Sequence, residues 1–136
     1  MTYLVHRYAD AEAWTGGTPV ARARVQRWLS VAAGEMAAGP CSARLVTVFG
    51  APLDHEAAIA KAHALFAVMD QTLTETVYLA GDSITLADVA AYSYTAHAPE
   101  GGVSMESYPH IRKWLDRVEA QPRFVGMAKS AIPAAA

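Results

Sequence analysis

The chain has 136 residues, 53% of them apolar, and a formal charge of −2, which allows one domain with a sizeable core and is too short for two ordinary ones. Lysine and arginine are scattered without a run of like charge, so there is no basic surplus to hold a nucleic-acid backbone. No apolar run approaches the ~20 residues a helix needs to cross a bilayer; with no signal-peptide pattern at the start either, the cytoplasm is the expected location and neither membrane nor nucleic acid an expected partner.

Leu4, Val5 and Tyr8 recur at helical spacing with no N-cap before them. This is either a frayed terminus or the end of a helix that belongs to a preceding domain. Gly16-Gly17 breaks it and makes residues 10–17 a linker. Thr18-Pro19 opens the next helix, with Thr18 as cap and Pro19 at the first helical position. Val25, Trp28, Leu29, Ala32 and Met36 form its apolar stripe. Gly39-Pro40 is expected to end it, glycine as a left-handed cap and proline as a stop. Residues 41–52 fit a short helix or an extended piece. Cys41 is the single cysteine, so no internal disulfide forms, and it reads as a small packing residue rather than a nucleophile.

Asp54 caps a long helix expected to reach about Leu79, its buried face marked by Ile59, Ala62, Phe66, Met69 and Leu73. Gly81 stops it. Between Ile84 and Pro99 the only residue charged at neutral pH is Asp88. A helix without a charged face is usually surrounded by others, so 85–97 is the expected central helix. Pro109 starts a helix with the stripe Ile111, Trp114, Leu115 and Val118; Phe124, Val125 and Met127 are expected to pack on the bundle as a last short turn. The fold class is all-α, a helical bundle. The expected division is 1–17, the end of a preceding helix plus linker; 18–130, the helical domain; and 131–136, a tail.

The sharpest local signal is Ile84-Thr85-Leu86-Ala87-Asp88-Val89. In a capping box the Thr85 hydroxyl accepts from the N–H of Asp88, and the Asp88 carboxylate accepts from the N–H of Thr85. Ile84 and Val89 occupy the positions of a hydrophobic staple. The helix dipole favours the carboxylate there. This role accounts for Asp88 better than that of an acid or metal ligand.

Gly81-Asp82-Ser83-Ile84-Thr85-Leu86-Ala87-Asp88 resembles the capping-box stretch of the glutathione S-transferase C-terminal domain. Tyr108-Pro109-His110-Ile111-Arg112-Lys113-Trp114-Leu115, with Arg117 to Phe124 after it, is similar to that family's penultimate helix and its exit. Val25-Gln26-Arg27-Trp28-Leu29-Ser30 resembles its first C-domain helix in the bacterial style. Three such pieces in register cover nearly the whole chain. Tyr3 to Ala9 resembles the end of the last helix of the family's thioredoxin-like first domain. The resemblance implies that the residues activating the glutathione thiol lie in that domain, so no catalytic residue is expected in this chain. Glutathione is then a co-substrate only if a thioredoxin-like domain is joined to it, and no cofactor is held by this chain itself.

The resemblance also implies that the helical domain supplies most of the hydrophobic-substrate pocket and subunit contacts. Some bacterial relatives place a His-Lys pair where this chain has Ala37 and Ala38, so that polar role does not carry over. The remaining pocket candidates are Met36, soft enough to suit apolar ligands, Arg44 for an anionic group, and Tyr94 and His97 toward the end of the central helix. Each also has a plain packing or helix-end reading. His6, His55, His63 and His110 have no metal-ligand spacing, and no metal is expected. Two functions stay open: the helical part of a glutathione S-transferase-like protein, or a helical module that binds a protein or a small apolar ligand by itself. Either leaves an apolar face that favours a homo-oligomer or a thioredoxin-like domain as partner.

Overall fold

The computed structural model describes residues 1–131; most of the expected 131–136 tail lies outside them. Seven α-helices appear among the described residues: α1 (Thr2–Tyr8), α2 (Ala11–Thr15), α3 (Pro19–Ala33), α4 (Ser42–Phe49), α5 (His55–Glu75), α6 (Leu86–Ala96) and α7 (Pro109–Glu119). A π turn (Ala37–Cys41) joins α3 to α4, and a 3₁₀ turn (Ala98–Gly101) follows α6. The described residues contain no β-strand; a single antiparallel bridge, Tyr78 with Gly81, closes the turn after α5. No helix among the described residues is long and apolar enough to cross a membrane.

The core is the set of stripes turned inward. Val25 and Trp28 from α3, Ala62, Phe66 and Met69 from α5, Ala87 and Ala91 from α6, and Ile111, Trp114 and Val118 from α7 are all buried. Helix α6 packs on both α3 and α7, and α5 packs on α7 and α4. The centre is therefore α6, although Val89 and Tyr94 on its outer side stay 42% and 38% exposed.

Several local expectations change. Residues 10–17 are more than a linker: Asp10 accepts from the N–H groups of Glu12 and Ala13 and starts α2. Trp14, to which the sequence assigns no role, packs partly buried against the core. Gly39 and Pro40 do not stop a helix; both are buried within the π turn. Proline lacks the N–H and its ring crowds the preceding turn, and a widened turn accommodates it. The Ala37 carbonyl accepts from the Ser42 N–H, closing the widened turn, and from the Ser42 hydroxyl at 2.8 Å. Gly39 is needed for close approach, since a Cβ there would come within 2.9 Å of the Ala62 nitrogen on α5. The ambiguous segment after it is the helix α4, ended by Gly50 in the left-handed region (φ 66°). Helix α5 ends at Glu75, not near Leu79, and is thus ~30 Å long at ~1.5 Å per residue. Beyond Gln121 there is no packed helical turn: Phe124 is partly buried, but Val125 is 90% exposed.

Buried or half-buried carboxylates fix the helix termini. Asp88, fully buried, accepts from the Thr85 N–H at 2.8 Å and the Thr85 hydroxyl at 3.1 Å through Oδ2. Its Oδ1 accepts from the Leu79 N–H at 3.0 Å and from Trp114 Nε1 at 2.9 Å. The Thr85 hydroxyl accepts from the N–H of Ala87 at 3.3 Å. Helix α7 has no side-chain cap of its own. Asp70 on α5 caps it instead, accepting from the N–H groups of His110 (2.8 Å) and Ile111 (2.9 Å) and from His110 Nδ1 (2.9 Å). Burial acts to raise the Asp70 pKa, and the bonds from His110 and Ile111 outweigh it, leaving the carboxyl below its ordinary value.

Replacing Asp88 by alanine strands the buried N–H groups of Leu79, Thr85 and Trp114 at once, each costing ~1–3 kcal/mol, and takes the acceptor from the Thr85 hydroxyl as well. Denaturant unfolding of Asp88→Ala is expected to show a loss of about 3–5 kcal/mol, against about 1 kcal/mol for Thr85→Ala. Equal losses in the two variants would show that Asp88 acts as a helix cap and nothing more.

Candidate functional site

The 3₁₀ turn after α6 lies directly on α4. A Cβ on Gly101 would stand 2.6 Å from the Arg44 nitrogen and 2.8 Å from the Ala43 carbonyl carbon, so only glycine allows this approach. Thr47 donates its hydroxyl to the Glu100 carbonyl at 2.6 Å, and His55 Nε2 lies 2.8 Å from the Gly101 carbonyl. These contacts set Glu100 between Arg44 on α4 and His97 at the end of α6.

The result is a buried charge cluster. Arg44 Nε donates to Glu100 Oε2 at 2.7 Å, and His97 Nδ1 lies 2.6 Å from Glu100 Oε1. Arg44, Glu100 and His97 are 8%, 5% and 3% exposed. Two more bonds come from the C-terminal segment: Arg44 Nη2 donates to the Ser130 hydroxyl at 2.8 Å, and the Ser130 N–H donates to Glu100 Oε1 at 3.1 Å. Burial pushes the Glu100 pKa up, but the hydrogen bonds from His97 and Arg44, with that from the Ser130 backbone, prevail and bring it down to about 2. An ionised Glu100 accepts, so the His97 proton sits on Nδ1.

Two of the four candidate pocket residues, Arg44 and His97, are therefore brought together, through a glutamate that the sequence alone does not single out. Glu100 follows the proline and precedes two glycines, a loop signal that hides its burial. Arg44 meets an internal carboxylate in place of an anionic ligand, and its guanidinium also lies over the Phe49 ring at 5.6 Å. Met36, 1% exposed, is in the core with the Thr95 hydroxyl 4.0 Å from its sulfur, and offers no open surface to a ligand. Tyr94 is the outward member of the set. The half-buried Cys41 beside it raises its phenol pKa, burial adds to that, and the Arg44 charge opposes it. No group of three or more His, Cys, Asp or Glu among the described residues is placed to hold a metal ion.

An apolar hollow lies elsewhere, between α3 and α5. It has a volume of 740 Å³ and is lined by Trp28, Val31, Ala64, Leu65 and Val68, with Arg27, Glu35 and Lys61 also on its wall. Trp28 Nε1 is buried with no hydrogen-bond partner among the described residues. The sequence signal for this groove is Ala64 and Val68, one turn apart on the side of α5 that a soluble helix would keep polar. Val68 is 60% exposed. A second hollow of 640 Å³ lies beside His97, with Tyr92, Met105 and Arg112 on one side and Phe124 and Met127 on the other.

Comparison with known proteins places this helical architecture. Residues 50–122 match the family model described as glutathione S-transferase, C-terminal domain. The chain belongs to the glutathione S-transferase C-terminal domain family. The match runs from the end of α4 through α5, α6 and α7, and so includes Asp70, Asp88, His97 and Glu100 but not Arg44. A glutathione S-transferase from Pseudomonas fluorescens is 26% identical and superposes with a TM-score of 0.81 over 90% of this chain and 63% of its own. One from Xanthobacter autotrophicus is 31% identical, with a TM-score of 0.70 over 88% of this chain and 61% of its own. Among curated relatives, elongation factor 1-gamma of Drosophila melanogaster is 25% identical over 131 residues. A probable glutathione S-transferase of Oryza sativa is 32% identical over 69. The chain covers 30% and 31% of those two proteins.

Because the Glu100 pKa is lower folded (about 2) than its ordinary 4.5, the folded state holds its proton less tightly than the unfolded chain. The cluster's stabilisation is then fully present above about pH 4.5 and lost as the pH falls through 2, on the order of 3 kcal/mol in all. Unfolding measured at pH 5 and at pH 2.5 should show a smaller difference in Glu100→Gln than in the parent. An identical pH dependence in both would remove Glu100 as the source.

Proposed function

We propose that this chain is the helical part of a glutathione S-transferase-like protein, supplying substrate-pocket wall and subunit contacts, with glutathione held and its thiol activated by a thioredoxin-like domain. It holds no cofactor and does not conjugate glutathione by itself. What carries this reading is the family match across α5, α6 and α7 in a chain whose two polar pocket candidates, Arg44 and His97, are committed to Glu100. A thiol of ordinary pKa ~8.5 is mostly protonated at neutral pH and needs donors aimed at its sulfur. Neither of those side chains is directed outward to a sulfur. Tyr94, on the exposed side of α6, is the residue best placed to touch an apolar substrate. The cytoplasm is the proposed location.

The second reading, a stand-alone binding module, draws support from a different observation. The relative aligned with 93% of this chain is named an elongation factor and not a transferase. In both readings the groove between α3 and α5 is the proposed face for a second copy of the chain. Its walls are chiefly apolar, and Arg27 and Lys61 stand opposite Glu35 in sign, so a two-fold pairing can match them.

Calorimetric titration of the purified chain with glutathione, followed by a conjugation assay with chlorodinitrobenzene, is expected to show neither saturable heat nor turnover. Turnover by the chain alone would overturn the proposal. Fusing it to the part of the Pseudomonas transferase that it does not cover separates the readings: conjugation restored favours the transferase part, and continued silence favours the binding module. Light scattering is expected to give twice the chain mass. Val68→Glu, which places a charge in the groove, should weaken that pairing by roughly tenfold or more. A parent chain that stays monomeric at high concentration rejects the paired form.

A further inference from the structure

The polypeptide after α7 runs as an irregular strand across the end of the bundle. Gln121 holds its start, donating Nε2 to the Tyr78 hydroxyl at 3.1 Å. Arg123 takes a left-handed backbone (φ 64°), uncommon for a residue with a Cβ, and turns the chain back. Phe124 then meets the Tyr92 ring edge-on, with 5.0 Å between centroids. From Val125 to Lys129 the residues are exposed, and among the described residues none of their N–H groups donates a hydrogen bond within the protein. The next anchor is Ser130, bonded through its hydroxyl to Arg44 and through its N–H to Glu100.

We propose that residues 121–131 form a strap closing the 640 Å³ hollow beside His97, and that the buried Arg44–Glu100 pair is its latch, engaged through Ser130. Phe124, Gly126, Met127 and Lys129 make up the strap's side of that hollow, while Tyr92, His97, Met105 and Arg112 make up the side belonging to the bundle. The five residues between the anchors have little else to hold them, so release of Ser130 frees Gly126, Met127 and Lys129 from that wall together. Segments with few buried contacts and exposed backbone open at a small fraction of the global unfolding free energy. The latch differs from an ordinary surface contact. Both its partners are buried and already paired with each other, so they are fixed in place whether or not the strap is down.

Two variants test this in the intact chain. Ser130→Ala removes the bond from Arg44, and Ser130→Pro removes the bond to Glu100 as well. Trypsin cleavage after Arg123 is expected to be roughly fivefold faster in Ser130→Ala and faster again in Ser130→Pro. Cleavage after Lys61, within α5, serves as the control and should not change. In the same variants, fluorescence of the probe anilinonaphthalene sulfonate should rise as the apolar side of the hollow opens. Val125→Ala, at a strap position that is 90% exposed and belongs to neither anchor, should match the parent in both measurements. Parent-level cleavage in Ser130→Pro overturns the latch. Faster cleavage with unchanged dye fluorescence overturns the strap as the wall of the hollow.

Discussion

The Asp88 carboxylate sits fully buried at the point where three segments meet, and its four donors come from all of them. Thr85 belongs to the start of α6, Leu79 to the turn that follows α5, and Trp114 to the middle of α7. A buried carboxylate without donors would be strongly unfavourable, so each donor is required where it stands. The same interaction orients the Trp114 ring in the core and fixes where α6 begins. No cation is paired with Asp88 among the described residues; neutral N–H and O–H groups and the first turn of α6 hold the charge.

The other internal carboxylates follow the same pattern. Asp70 caps α7 from α5, and Glu100 joins α4, the end of α6 and the C-terminal segment. Each helix start leaves terminal N–H groups to satisfy, and Asp10, Thr18, Asp54 and Thr85 do so for α2, α3, α5 and α6. At α7, which has no side-chain cap of its own, the Asp70 carboxylate of α5 satisfies two such groups and ties the two helices together in one step. The hydrophobic stripes bring the helices together, and these three side chains select one arrangement among the several that apolar packing permits.

The polar residues with the most chemical promise are consequently spent inside the fold. Arg44 and His97 have the residue types of an anion-binding pair, but Glu100 already supplies the anion. Several large apolar side chains stay at the surface, among them Val68 in the groove between α3 and α5, Val89 on the outer side of α6, and Tyr3, Leu4 and Tyr8 on α1.

Periodicity and capping residues determine a good deal here. The inward stripes of α3, α5, α6 and α7, the Thr18, Asp54 and Thr85 caps, and the family resemblance are all local patterns in which the deciding residues lie within four positions of one another. The sequence also points to Asp88 as buried and to α6 as central, because a lone acid in an otherwise uncharged segment, three residues after a threonine, fits the start of an enclosed helix. Contacts between residues far apart in the chain belong to the tertiary structure. Nothing near Trp114 marks its indole as a donor to Asp88, and nothing near Asp70 marks it as the cap of a helix forty residues later. Arg44 and Glu100 are separated by more than fifty positions and meet only because Gly101 lets the 3₁₀ turn reach α4. Gly39 and Pro40 show the limit most clearly. Local propensity makes them a stop, whereas close packing on α5 makes them part of a continuous turn, since a backbone contact across the core outweighs a preference worth a few kcal/mol at most.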